Sequence, residues 1–258
     1  MADRYLRIAK FPRGAVLPLV VALIWSIASS TGILSGPMAV SPLEVVATPF
    51  VDHSGRELWM ALIASIARVL SGGILGGVIG LVLGYVAGMY RTAALALAPT
   101  VHTIRQVALF AWIPLLTAWF GNGESTKLVF TALSTFFPLF LATEHGVRQA
   151  PVPLVEAAYT LRLKPWTRAR KLYLPAALPS IYVGLQIAVL SAWIGTVGAE
   201  YAIGNGLGLG SYIASARDQF RMDIVLVGVF ALAAGGVALS AAVRFATGKV
   251  SPWSQEAR

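Results

Sequence analysis

Val155–Ser180 reads VEAAYTLRLKPWTRARKLYLPAALPS. Arg162, Lys164, Arg168, Arg170 and Lys171 stand here against a single acid, Glu156. Long apolar runs flank the stretch, and a plain connector between two helices could be far shorter. Pro151 and Pro153 precede it, and Pro175 and Pro179 close it. Val155–Leu161 suits a short helix with Glu156 in its first turn, since acids and prolines favour helix starts. A second short helix is predicted over about Pro165–Leu174. Leu161, Leu163, Leu172 and Leu174 offer apolar contacts, while the basic side chains face water or a partner. From the residues alone, two readings stand: a docking element, or an interfacial helix whose arginines meet anionic headgroups.

The surrounding chain is that of a membrane protein. Of 258 residues, 57% are hydrophobic and 12% charged, against roughly 25% charged in soluble domains. The absence of cysteine removes disulfides, Cys-ligated zinc and thiol catalysis. The net charge of +9 does not point to nucleic acid, because no basic patch is interleaved with aromatics.

Six spans are predicted, at about Ala15–Ile33, Ser65–Gly88, Ala93–Phe120, Lys127–His145, Leu178–Ile203 and Ile224–Phe245, from apolar runs near the roughly 20 residues a bilayer needs. The first run is long for a signal peptide and lacks a clear cleavage site, so it reads as a retained span. Pro99 and Pro114 predict a bent or broken third span, which requires burial in protein or a wet cavity. Lys and Arg set the orientation. Arg4, Arg7, Lys10, Arg13, Arg91, Arg148, the five of the opening stretch, Arg244, Lys249 and Arg258 fall on one side. Arg56, Lys127, Arg217 and Arg221 fall on the other. Both termini and the opening stretch are therefore expected in the cytoplasm. The organisation expected is a basic cytoplasmic N-terminus (1–14), a six-span domain (15–246) that contains the segment 151–177, and a cytoplasmic tail (247–258).

The second span carries Gly72, Gly76, Gly80, Gly84 and Gly88 at every fourth position. That spacing lines one helix face with small residues, which lets another helix approach closely where lipid provides no hydrophobic drive. Packing inside one subunit is one reading; a seam that slides during function is the other.

The opening stretch resembles the EAA loop of permease subunits in ABC-type importers. The family pattern is Glu-Ala-Ala, three residues, Gly, nine residues, Ile, one residue, Leu-Pro. Here Glu156, Ala157 and Ala158 are followed by Arg162 at the glycine position, Leu172 at the isoleucine position, and Leu174-Pro175. Arg162 is the departure, where glycine would make the turn. SIARVLSGGILGGVIGLVLGYVAG, AWIPLLTAWFGNG, LPAALPSIYVGLQIAVLSAWIGTVGAE and GNGLGLGSYIASARDQFRMDIV also resemble the nitrate, sulfonate, taurine and bicarbonate branch. IRQVALFAWIP departs from that branch, which often has extra prolines there.

The resemblance implies an all-α integral membrane protein with the type I importer fold, multi-pass in the bacterial inner membrane. It implies a homodimer working with two ATPase subunits and a periplasmic or extracellular substrate-binding protein. Glu156, Ala157, Ala158, Leu161, Arg162, Leu172, Leu174 and Pro175 are then ATPase-coupling residues. ATP and Mg belong to the partner ATPase; no cofactor or metal is expected on this chain, which has no G-x-x-x-x-G-K-[ST]. A small anion, sulfonate by guess, is the expected cargo; nitrate, bicarbonate or a neutral heterocycle are alternatives.

Polar residues inside spans are functional candidates by default. Arg105, Trp112, Gln186, Trp193, Thr196 and Glu200 are the candidates for a translocation path, with His102, Glu144, His145 and Ser191 also in or near spans. Each has a structural rival: Gln186 and Ser191 as helix-to-helix glue, Glu144 and His145 at a wet span end, the tryptophans as packing, Glu200 as a cap or gate, and Arg105 as an arginine that binds carbonyls at a broken helix. A passive channel and an intramembrane enzyme are rival classes. His53, His102 and His145 sit on different segments without metal spacing, and no G-x-S-x-G occurs.

Overall fold

A computed structural model describes residues 16–31, 40–51 and 54–250. The expected N-terminal segment 1–14, the ends of the first predicted span and the tail beyond residue 250 lie outside the described residues. Every element within them is helical. In chain order these are α1 (Val16–Ser30), α2 (Pro42–Val51), α3 (Ser54–Met89), α4 (Arg91–Ile104), a 3₁₀ turn (Leu109–Trp112), α5 (Ile113–Phe120) and α6 (Glu124–Arg148). They continue with α7 (Val152–Thr160), α8 (Pro165–Arg168), a π turn (Ala169–Tyr173), α9 (Leu174–Ile203), α10 (Leu209–Asp218) and α11 (Met222–Val250).

The glycine face of α3 lies on the backbone of α6. A Cβ on Gly72 would sit 2.8 Å from Thr131 Cβ, and one on Gly80 would sit 2.7 Å from Phe136 O. At Gly88 it would meet Val147 Cβ at 2.6 Å. At Gly76 and Gly84 it would collide with the carbonyls of Ala132 and Phe140. Each four-residue step along α3 advances α6 in the same direction, so the two helices run parallel. A parallel pair requires the chain to return between them, and Arg91–Phe120 is the only stretch available. The bent pair α4 and Leu109–Phe120, with a 94° angle between its arms, therefore makes one crossing.

Helix α9 runs antiparallel to α6: Gly146 meets Ala177 and Ser180, Gly184 meets Ala142, and Gly195 meets Ser134. Trp193 of α9 lies over Gly235 and Gly236 of α11 and donates its indole N–H to Leu232 O at 3.0 Å.

The described residues hold four helices long and apolar enough to span, and five crossings with the bent pair. The expected first span is reduced there to α1, 15 residues or about 22 Å. Two helices were not anticipated. Helix α2 follows α1, and α10 packs into the bundle with Leu209 fully buried. The third span breaks at Arg105–Ala108 rather than at its prolines: Pro99 stays inside α4, and Pro114 sits in the first turn of α5, where its missing N–H is harmless.

Candidate functional site

At one end of the bundle α7 and α8 hang on the link between α6 and α9. Helix α7 begins after Pro151, with Pro153 in its first turn. It ends in a paired closure: Arg162 N–H donates to Tyr159 O at 2.9 Å, and Leu163 N–H donates to Ala158 O at 3.1 Å. This is the Schellman arrangement, which needs a left-handed residue after the helix. Arg162 is that residue, at φ +49°. The arginine at the family's glycine position therefore keeps the turn, at a strain of about 1–2 kcal/mol for an L side chain.

The turn aims Leu161 and the start of α8 outward. Leu161 is 71% exposed and Trp166 75%, with Val152, Leu154 and Tyr159 beside them. Glu156 and Ala157 lie on the exposed side of α7, whereas Ala158 is only 5% exposed. Ala158 thus departs from the expected contact set, because its small side chain faces the bundle. Arg168 stacks on the Tyr159 ring at 4.1 Å and ties α8 to α7. Leu172 is half-buried in the π turn, and Leu174 and Pro175 open α9 as exposed residues. Pro175 has no N–H for the carbonyl four residues back and crowds it; widening by one residue lets the helix continue.

A cavity of about 1080 Å³ opens in the half of the bundle nearer this segment. Its walls come from the end of α4 and the break after it (His102, Arg105), from the second half of α6 (Ser134, Glu144, Arg148) and from the first half of α9 (Ser180, Ser191). Glu144 Oε1 lies 2.8 Å from Arg148 Nη2, and Oε2 lies 3.4 Å from His102 Nε2. Arg105 has no side-chain partner among the described residues. The walls therefore present more positive than negative charge, as an anion requires.

Of the six expected path residues, the cavity takes in Arg105 alone. Gln186 is exposed on another face of α9. Trp112 packs with Leu116, Phe130 and Ala199. Trp193 is buried against α11 as described, and Thr196 exchanges a 2.8 Å hydrogen bond with Thr131. These three residues are held between helices, the tryptophans as packing.

For Glu200 the sequence leaves a capping or gate role open beside substrate contact. Glu200 is 0% exposed and lies at the end of the bundle away from α7. It accepts from Ser65 Oγ (2.8 Å), Arg68 Nη1 (2.6 Å) and Gly210 N–H (2.9 Å). Arg68 also donates to both oxygens of Glu124, at 2.6 and 2.8 Å. Lys127 donates to Glu124 at 3.2 Å and to Asn205 O. Two cations and two anions close this end, joining α3, α6, α9 and the loop before α10. Sequence reasoning left Arg68 out, although a charge within an apolar run was signal enough. No group of three potential ligands for a metal occurs among the described residues.

The profile of the family described as binding-protein-dependent transport system inner membrane component matches residues 76–252. The chain belongs to that family. The match includes the cavity, α7, α8 and most of the glycine face. The permease is 33% identical over 93% of its length and 87% of the relative to a Bacillus subtilis protein named for aliphatic sulfonates transport, SsuC. It is 31% identical to the bicarbonate transport system permease CmpB of Synechococcus elongatus, over 88% of this chain and 86% of that one. To the taurine transport system permease TauC of Escherichia coli it is 28% identical, over 93% of this chain and 88% of that one. The permease is thus a multi-pass inner-membrane component of an ABC import system.

Proposed function

We propose that the permease carries a small organic anion, of the sulfonate type, through the cavity at Arg105, and that Val152–Pro175 couples it to ATPase subunits. The observation that carries the reading is the α7–α8 surface. Exposed apolar side chains and five basic residues are held in a fixed shape by the Arg162 closure and the Arg168–Tyr159 stack. Large exposed apolar side chains rimmed by charge mark an interaction surface. The excess positive charge of the cavity supports an anion, and relatives named for sulfonates, taurine and bicarbonate support its size class.

The mechanism follows from the two ends of the bundle. The Glu200 end is closed by matched charges; the end bearing α7 and α8 is open. With that end in the cytoplasm, as the basic residues argue, this is the inward-facing state. ATP and Mg act on the partner subunits. Their closure would push α7 and α8, shut the cavity on the inside and open a path to anion delivered by a binding protein outside. Two permeases would face each other in a homodimer. Hydrolysis would then return the inward-facing state.

The test is Ala157→Trp, which puts a large ring on the exposed side of α7 without touching the bundle. Overfilling a packed site costs about 1–3 kcal/mol, or roughly 5- to 150-fold in an equilibrium. The ATPase should co-purify correspondingly less well, with membrane insertion intact; undiminished co-purification and uptake would remove the coupling role.

A further inference from the structure

Tyr85 lies on α3, four residues from the end of that helix, and plays no part in the glycine packing. Its hydroxyl donates to the carbonyl of Ala169 at 2.6 Å. Ala169 is the first residue of the π turn, and the same carbonyl accepts the N–H of Leu174. One oxygen thus holds both the widened turn and the side chain of a distant helix, 84 residues away in sequence.

The position of this bond matters. The π turn is the only link between α8 and α9, and α8 is fixed to α7 by the Arg168–Tyr159 stack. A push on α7 therefore reaches Ala169. From there it can travel along α9, or it can cross through the Tyr85 hydroxyl into α3. Helix α3 continues without a break from this bond to Ser65 and Arg68, which hold Glu200 and Glu124 at the closed end, so displacement entering at Tyr85 has a continuous helix that leads to that closure.

We propose that Tyr85 is the positioning residue that passes displacement of the coupling segment into α3. The proposal rests on the reading that α7 and α8 dock on an ATPase. Tyr85 is not among the residues that line the cavity, and its hydroxyl bonds the Ala169 carbonyl. A hydroxyl bond of this kind is an apt coupling, because a single hydrogen bond moves an equilibrium by about two- to tenfold.

The chain has no cysteine, so a single introduced cysteine can be spin-labelled on the purified permease before it is reconstituted with its ATPase and binding protein. Thr160 on α7 and Val82 on α3 are both exposed. In each labelled protein, the distance between the two copies is measured before and after trapping the nucleotide with vanadate. In the unaltered protein both distances should shift. In Tyr85→Phe, which keeps the ring, the Thr160 shift should persist while the Val82 shift falls at least about twofold. Equal Val82 shifts in the two proteins overturn the proposal. A Thr160 distance that ignores nucleotide in the unaltered protein overturns the docking reading itself, and the proposal with it. A merely structural Tyr85 would reduce both shifts together, which also overturns it.

Discussion

The permease holds two groups of charged side chains in opposite halves of its bundle, and they differ in how the charges are matched. At the closed end, Arg68 and Lys127 meet Glu124 and Glu200, and backbone N–H groups and Ser65 complete the set. In the cavity, Glu144 meets Arg148 and His102, while Arg105 stands without a side-chain partner among the described residues. The sequence puts Arg105 first among the candidates for an anion path and leaves Glu200 between a capping or gate role and substrate contact. Their surroundings fasten Glu200 and leave Arg105 without a side-chain partner among the described residues, as the proposed anion path requires.

Removing a matched charge should give the largest effect on stability. Arg68→Met strands Glu200 in a fully buried place, and breaking a buried pair costs about 3–5 kcal/mol. Thermal unfolding in detergent should show the loss, and adding Glu200→Gln should recover part of it, as expected for interacting neighbours. An Arg68→Met protein of unchanged stability would erase the distinction between the two groups.

Removing the unmatched charge should act on transport and not on folding. Arg105→Gln is expected to keep normal assembly and unfolding temperature. Uptake of taurine, used as the sulfonate probe, should fall about tenfold or more, in line with about 1.5–3 kcal/mol for a charged hydrogen bond. Failure to assemble would place Arg105 with Arg68 among the structural charges.

The smallest effect concerns the coupling end. Arg162→Gly relieves a left-handed arginine, and about 1 kcal/mol of added stability is expected, offset in part by the freer unfolded chain. Calorimetry on the permease would register it; destabilisation would show that the arginine side chain itself does something the turn does not.

Much of this was legible in the sequence, for physical reasons. Long apolar runs specify spans wherever they occur, and four-residue glycine spacing places small residues on one face whatever that face meets. The Glu-Ala-Ala register located α7 because those positions are local, whereas the fifth span, expected from Leu178, already begins at Leu174. What was not legible depends on distant neighbours. Arg68 and Glu200 are 132 residues apart, and nothing near either one announces the other. Ala158 looked like a twin of Ala157 until packing put them on opposite sides of α7. Helices α2 and α10 are too short to read as spans and were passed over as connections. The third span is broken as its prolines led one to expect, but the position of the break, after Ile104, is not written in them, since Pro99 stays inside α4.

On the proposed function, α7 and α8, and not the opposite end of the bundle, meet the ATPase. A photoreactive phenylalanine analogue can replace Leu161 in one protein and the exposed Phe220, at the far end after α10, in another. With the assembled transporter in its native membrane, irradiation should join position 161 to the ATPase subunit and leave position 220 free of it. No adduct at 161, or an ATPase adduct at 220, would contradict the account.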